Sequence, residues 1–235
     1  IIKMKLTSEQ IDRLYQFTRQ HYVEWYDLQT ELVDHLANSI EAQWKENPKI
    51  SFEDALQIEF KKFGVFGFMD VVEQRQLALN KKYNSIIWKH FKAFFTIPKI
   101  IITACIICVT FFFLKSLLFK ADVVLIIFGI IVLSFYFSII YFSRKNKKAS
   151  QLTNKKWLFK EIILGRSSLV GMTYLPIQII IHSEKVMGNP YGIFIISFFI
   201  VAMALIEYII LIEVPRKAED YLKETYPEYA LENVN

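Results

Sequence analysis

Glycine is scarce in this chain, with seven among 235 residues. A loop whose backbone amides wrap a phosphate needs glycines at the points of close approach. No Gly-x-x-x-x-Gly-Lys loop, no Gly-x-Gly-x-x-Gly turn, no Gly-x-Ser-x-Gly elbow and no His-Glu-x-x-His pair occurs. The sequence therefore spells no nucleotide cradle and no recognisable hydrolase site, and no enzyme activity is expected. Cysteine is scarcer still. Cys105 and Cys108 are the only two. A single Cys-x-x-Cys without a second pair, set in an apolar run, reads as packing and not as metal or redox chemistry. No structural disulfide, metal or cofactor is expected. The first ten residues, IIKMKLTSEQ, lack the apolar core of a cleavable signal. Met4 reads as a start, and the first long apolar run as its own insertion signal.

Apolar residues are abundant and clustered. Four runs stand between residues 100 and 214: IIITACIICVTFFFLKSLLF, VVLIIFGIIVLSFYFSIIYF, IILGRSSLVGMTYLPIQIII and YGIFIISFFIVAMALIEYIILI. A bilayer core about 30 Å thick needs roughly 20 apolar residues per helix. Each run is that long, so four spans are expected, at about 98–119, 122–143, 158–181 and 191–214. The expected fold is all-α: a small N-terminal cytoplasmic helical domain (1–85), a four-helix transmembrane bundle (86–217) and a cytoplasmic tail (218–235).

Charge divides along the same line. Residues 1–92 hold 13 Lys+Arg and 13 Asp+Glu, whereas residues 93–235 hold 15 and 10. The net charge of +5 thus belongs to the membrane half, which points to anionic lipid and not to nucleic acid. The loop from Arg144 to Lys156 has six basic residues and no acid: Arg144, Lys145, Lys147, Lys148, Lys155 and Lys156. These are the candidate lipid-headgroup contacts. Short loops rich in Lys and Arg stay cytoplasmic. Lys81, Lys82, Lys89, Lys92 and Lys99 lead into the first span, and Arg216 and Lys217 follow the fourth. Both termini and the 144–156 loop are therefore expected in the cytoplasm. Lys115 would snorkel to the outer interface. Trp88, Trp157, Tyr141 and Tyr221 suit the inner one. Pro98 is placed to open the first span and Pro176 to kink the third.

The N-terminal part reads as three or four amphipathic helices. Thr7 and Gln10 form a capping-box pair before Ile11 and Leu14. Leu28, Leu32, Val33, Leu36, Ala37, Ile40 and Trp44 line one face of a helix over about 27–44. Pro48 ends it. Ser51-Phe52-Glu53-Asp54 opens a third helix with a Leu56, Phe60, Phe63 stripe, and Gly64 is placed as its C′ residue. A fourth helix starts near Met69 or Asp70.

The strings ELVDHLANSIE (31–41), SFEDAL (51–56) and FKKFG (60–64) carry a resemblance. They resemble the permease-prefix, or HAAS-type, helical domain of bacterial inner-membrane proteins. The matching positions include Glu31, Leu32, Asp34, His35, Leu36, Ile40, Glu41, Ser51, Glu53, Ala55, Phe63 and Gly64. Pro48-Lys49 stands where that family has a glycine turn, Glu59 stands where a small residue is usual, and the residues after Gly64 differ. The membrane part is not covered. The resemblance implies a cytoplasmic helper or sensor domain on proteins linked to ABC exporters or PadR-type regulators, with Glu31, Asp34, His35 and Glu41 in partner docking.

Arg166 and Glu207 are the candidate intramembrane pair. Ionisable groups inside spans are costly and usually face protein. Counted from the cytoplasmic ends of spans three and four, both lie about 12 Å deep at 1.5 Å per residue. A helix–helix staple and a proton, ion or lipid path are both open. Tyr174, Gln178 and His182 could line a cavity in span three. Glu31 and His35, at i and i+4, read as a surface pair. Two functions follow: an accessory or regulatory membrane subunit that docks another membrane protein, or a small homo-oligomeric transporter using Arg166 and Glu207.

Overall fold

A computed structural model describes residues 5–118, 120–153, 155–166, 178, 186–226 and 229. Among these residues all regular structure is helical. The chain divides into two compact units. One takes in the N-terminal residues through Leu79 together with Ala149–Lys160, and the other Asn80–Lys148 and the rest from Glu161. The first unit also includes part of the stretch expected as a basic loop between spans.

The N-terminal unit is built from α1 (Ser8–Gln20), α2 (Tyr26–Glu46), α3 (Phe52–Lys61) and the start of α4 (Met69–Ala93). Helix α1 starts where the capping box predicts. The Thr7 hydroxyl accepts from the Gln10 amide, and the Gln10 side chain accepts from the Thr7 amide at 2.9 Å. At α3 the Ser51 hydroxyl caps the Asp54 amide. The return bond of a capping box is replaced by the hydroxyl donating to the Asp54 carboxylate at 2.6 Å. Gly64 adopts φ +78°, two residues beyond the Lys62 cap and so one past the expected C′ place. Gly67, at φ +56°, follows the same logic: a left-handed backbone that a side chain would strain.

The apolar face of α2 is the centre of this unit. Leu28, Leu32, Val33, Leu36 and Ile40 are all at most 3 % exposed. Burial of each such side chain stabilises by about 1.5–3 kcal/mol. Phe17, Phe60, Phe63 and Phe68 close the other side with edge-on ring contacts between 4.8 and 6.2 Å. Glu59 is buried within this shell and is paired. Gln43 Nε2 donates to Glu59 Oε1 at 2.5 Å, and Lys62 Nζ lies 2.6 Å from it. That arrangement lets a carboxylate be buried in this core.

Three helices are long and apolar enough to cross a membrane: Lys99–Ser116, Ala121–Lys148 and Pro190–Arg216. They correspond to α5 (Lys99–Ser116), to most of α6 (Lys120–Thr153) and to α8 (Pro190–Tyr208) with its continuation. That continuation is a π-helical turn, Ile209–Glu213, and a last turn, Val214–Arg216. Pro98 is the N-cap of α5, as expected. Asn189 caps α8 by accepting from the Gly192 amide at 2.8 Å, with Pro190 in the first turn. Between α6 and α8 lie α7 (Leu158–Glu161) and a π-helical turn, Ile162–Arg166. Most of the expected third span, including Pro176, Tyr174 and His182, lies outside the described residues.

Helix α8 is the packing hub of the second unit. Of its most apolar stretch 44 % is buried, against 22 % for α6 and 11 % for α5. Phe94, just before α5, meets Tyr208, and Phe111 near the end of α5 meets Phe194. The two helices therefore run antiparallel. On α6 the buried residues Val124, Phe128, Ile131 and Phe135 recur at helical spacing. Span hydroxyls turn back on their own helices: Thr103 donates to Lys99 O, Thr110 to Ile106 O and Ser197 to Ile193 O. Such bonds satisfy each hydroxyl within its own helix, as a bilayer core requires.

Candidate functional site

Four groups of residues carry chemistry. The first is the outer edge of α2. Glu31, Asp34 and His35 are exposed while the opposite face is core. The expected Glu31–His35 pair is replaced by two longer-range contacts. Glu31 lies 3.7 Å from Arg75 on α4, and the His35 ring stands edge-on to Phe63 at 5.9 Å. The His35 ring thus faces Phe63, and the Glu31 carboxylate faces the Arg75 guanidinium. Glu41 is half-buried and accepts from the Leu6 amide at 3.2 Å, so it ties down the N-terminal segment. Beyond Phe63 the chain exposes Val65 at 98 %, Phe66 at 71 % and Met69 at 50 %.

The second group is a clasp on segment 155–158. Tyr26 donates its amide to Lys156 O at 2.7 Å, and the Leu158 amide donates to Asp27 Oδ1 at 3.1 Å. Lys156 Nζ pairs with Glu24 at 2.6 Å. Lys155 Nζ sits 4.0 Å from the Tyr26 ring centroid, and Trp157 packs edge-on against the same ring at 5.4 Å. Trp157 is buried here. The expected basic loop from Arg144 to Lys156 is thus two things. Arg144, Lys145, Lys147 and Lys148 are exposed on a helix that continues to Thr153, whereas Lys155 and Lys156 are engaged by the N-terminal domain.

The third group lies within the spans. Glu207 on α8 is half-buried, and the Ser134 hydroxyl of α6 donates to its Oε1. Arg166 closes the turn Ile162–Arg166, and its side chain lies outside what the structure describes. The helix partner of Glu207 that the structure brings up is therefore α6. Gln178 is described and Tyr174 and His182 are not, so the expected cavity falls largely outside the described residues.

The fourth group was not anticipated. His90 of α4 faces the far end of the α8 continuation and α9 (Ala218–Thr225). Its Nε2 is 2.8 Å from the Tyr221 hydroxyl, and its Nδ1 is 3.7 Å from Glu213. Glu213 in turn pairs with Lys217 at 2.9 Å, and Lys82 donates to Thr225 at 2.9 Å. Burial, then the Lys217 charge, holds the His90 pKa below its ordinary value. Burial holds the Tyr221 hydroxyl above its own. The cluster pins the C-terminal helix to α4. Its trace in the sequence is a histidine nine residues before the apolar helix Lys99–Ser116.

Among the described residues no three His, Cys, Asp or Glu side chains converge as a metal site. Cys105 and Cys108 are exposed free thiols. No protein-family model, curated protein or solved structure matches this chain.

Proposed function

We propose that this protein is a non-catalytic accessory or regulatory subunit of a bacterial inner-membrane complex. It crosses the membrane several times with both termini in the cytoplasm. Its N-terminal helical domain docks another membrane protein, such as an ABC transporter or another complex subunit. The observation that carries this reading is the surface at the His35–Phe63 contact. There the charged edge of α2, with Glu31, Asp34 and His35, adjoins Val65, Phe66 and Met69, which are exposed on a domain whose core is otherwise closed. Clustered exposed apolar side chains with a charged rim mark interaction sites. The permease-prefix resemblance includes Glu31, Asp34, His35 and Phe63 of this surface and ends at Gly64. Arg144, Lys145, Lys147 and Lys148 would hold anionic headgroups at the cytoplasmic side.

The test is purification from the native membrane in mild detergent. A larger partner should co-purify at fixed stoichiometry and be lost on V65D/F66D, which changes only exposed side chains. Recovery of a pure homo-oligomer would instead favour a small transporter. The contact of Glu207 with Ser134 inside the spans favours that second reading, with Arg166 as the other ionisable group of its path.

A further inference from the structure

Helix α4 does not stop short of the membrane. His90 contacts Glu213, and Phe94 meets Tyr208. Both partners belong to the apolar helix Pro190–Arg216. Thr103 of α5 donates back to Phe94 O at 3.1 Å. The last turns of α4 and the turn after it therefore lie beside the end of a span, level with its final residues, and not out beyond it.

The side chains that face outward at this level have one character. Trp88 is 55 % exposed and stacks on Phe91 at 5.5 Å, and Phe91 meets Phe95 at 5.1 Å. Lys92 Nζ sits 5.3 Å from the Trp88 ring centroid, and Lys99 Nζ 4.9 Å from that of Phe94. Lys89 is exposed beside them. The sequence has no Asp or Glu between Glu73 and Asp122. The Glu213 carboxylate is turned to His90 and Lys217. Among the described residues, no ion pair involves Lys89, Lys92 or Lys99. An aromatic ladder flanked by lysines outside any ion pair, at the depth where a span ends, matches the chemistry of the headgroup layer. Amphipathic rings settle there, and lysines there meet phosphate.

We propose that Trp88, Phe91, Phe95, Lys89, Lys92 and Lys99 form an anchor for anionic phospholipid, with the rings in the headgroup–acyl boundary and the ammonium groups on lipid phosphates. This surface is separate from the α2 edge, and its test is independent of any docked protein. Full-length protein is reconstituted in vesicles of phosphatidylcholine with phosphatidylglycerol. The Trp88 share of the emission is read as wild type minus Trp88→Phe. That share should be quenched by lipid brominated near the carbonyl end of the chain. It should be quenched little by lipid brominated at the chain terminus or by aqueous iodide. Spin-labelled lipids then report headgroup preference. Lys92→Gln should lower the preference for phosphatidylglycerol over phosphatidylcholine by about fivefold, the weight of one lysine at an anionic surface. Quenching by iodide would show a water-exposed helix and overturn the anchor. Protection from both quenchers would mean that protein covers the face, and would overturn it too. An unchanged preference in K89Q/K92Q/K99Q would remove the anionic selectivity on which the proposal depends.

Discussion

Removing the Asp27 carboxylate should release residues 155–158 from the N-terminal domain while leaving the domain folded. Asp27 Oδ1 accepts the Leu158 amide at 3.1 Å, and Asp27 is buried. A hydrogen bond to a charged acceptor contributes about 1.5–3 kcal/mol, and a buried amide left without one costs about 1–3 kcal/mol. Taking about 2 kcal/mol for Asp27→Ala, the Leu158 amide should exchange about thirtyfold faster, since about 1.4 kcal/mol is a factor of ten. The nearby ion pair is a control on the reasoning. Lys156 and Glu24 are 52 % and 61 % exposed, and such pairs contribute at most about 1 kcal/mol. Glu24→Ala should therefore speed exchange by no more than about fivefold. Asp27→Asn keeps an acceptor without its charge and should fall between. Asp27 also lies in the first turn of α2. Its loss weakens that helix start by about 0.3–1 kcal/mol, which would show in α2 amides and not at Leu158. Hydrogen exchange with mass-spectrometric readout of peptides covering 155–160 and 26–46 separates the two. Equal effects of Asp27→Ala and Glu24→Ala at 155–160, or none from either, would refute the clasp.

Other perturbations test the remaining parts. Leu36→Asp buries an unpaired charge at a fully enclosed position and should cost several kcal/mol, about 3 or more, seen as protease sensitivity of the N-terminal domain. His90 has its pKa lowered in the fold. The folded state thus binds fewer protons than the unfolded chain, and this contribution is full above about pH 6.5 and is lost as pH falls through it. Wild type should lose more thermal stability than His90→Gln between pH 7.5 and 5.5, and parallel slopes would count against the cluster. Arg166→Leu and Glu207→Leu should each lower folded yield, with the double variant recovering much of it if the two are coupled; simple addition of the losses excludes the pair. Cysteines placed at 150 and 230 should escape labelling of intact cells, and one at 186 should react; labelling at 150 would invert the topology.

What was legible follows from how local each feature is. The capped starts at Thr7 and Ser51, the α2 stripe from Leu28 to Trp44, the turn at Gly64 and the α4 start at Met69 are set by residues within one or two helical turns. The apolar runs announced α5, α6 and α8 because length and composition decide a span. The 144–153 stretch was read as a loop because its charges signal cytoplasm. Yet nothing in RKNKKASQLT breaks a helix: it has no glycine and no proline, and α6 runs through it. Charge bears on which side a segment is expected to lie and says nothing of its shape.

The contacts that sequence reasoning missed join residues far apart in the chain. Asp27 and Leu158 are separated by 131 positions, as are His90 and Tyr221. Each partner alone has an ordinary reading. Asp27 is an acidic residue in a helix's first turn, Trp157 is an aromatic beside a span, and Tyr221 is a tail residue. Only the fold supplies the second member of each pair. The crowding of aromatics at His21–Tyr26 was visible as a break between helices. Its use was not, because the Tyr26 ring that Lys155 and Trp157 meet is recruited by a segment from the other half of the chain. The same reasoning assigns Glu59. A carboxylate in an apolar stripe looks like an interruption until Gln43, sixteen residues earlier, is found donating to it. Polar residues that break a local pattern here are those whose partners lie at long range, and in this chain they join one helix to another.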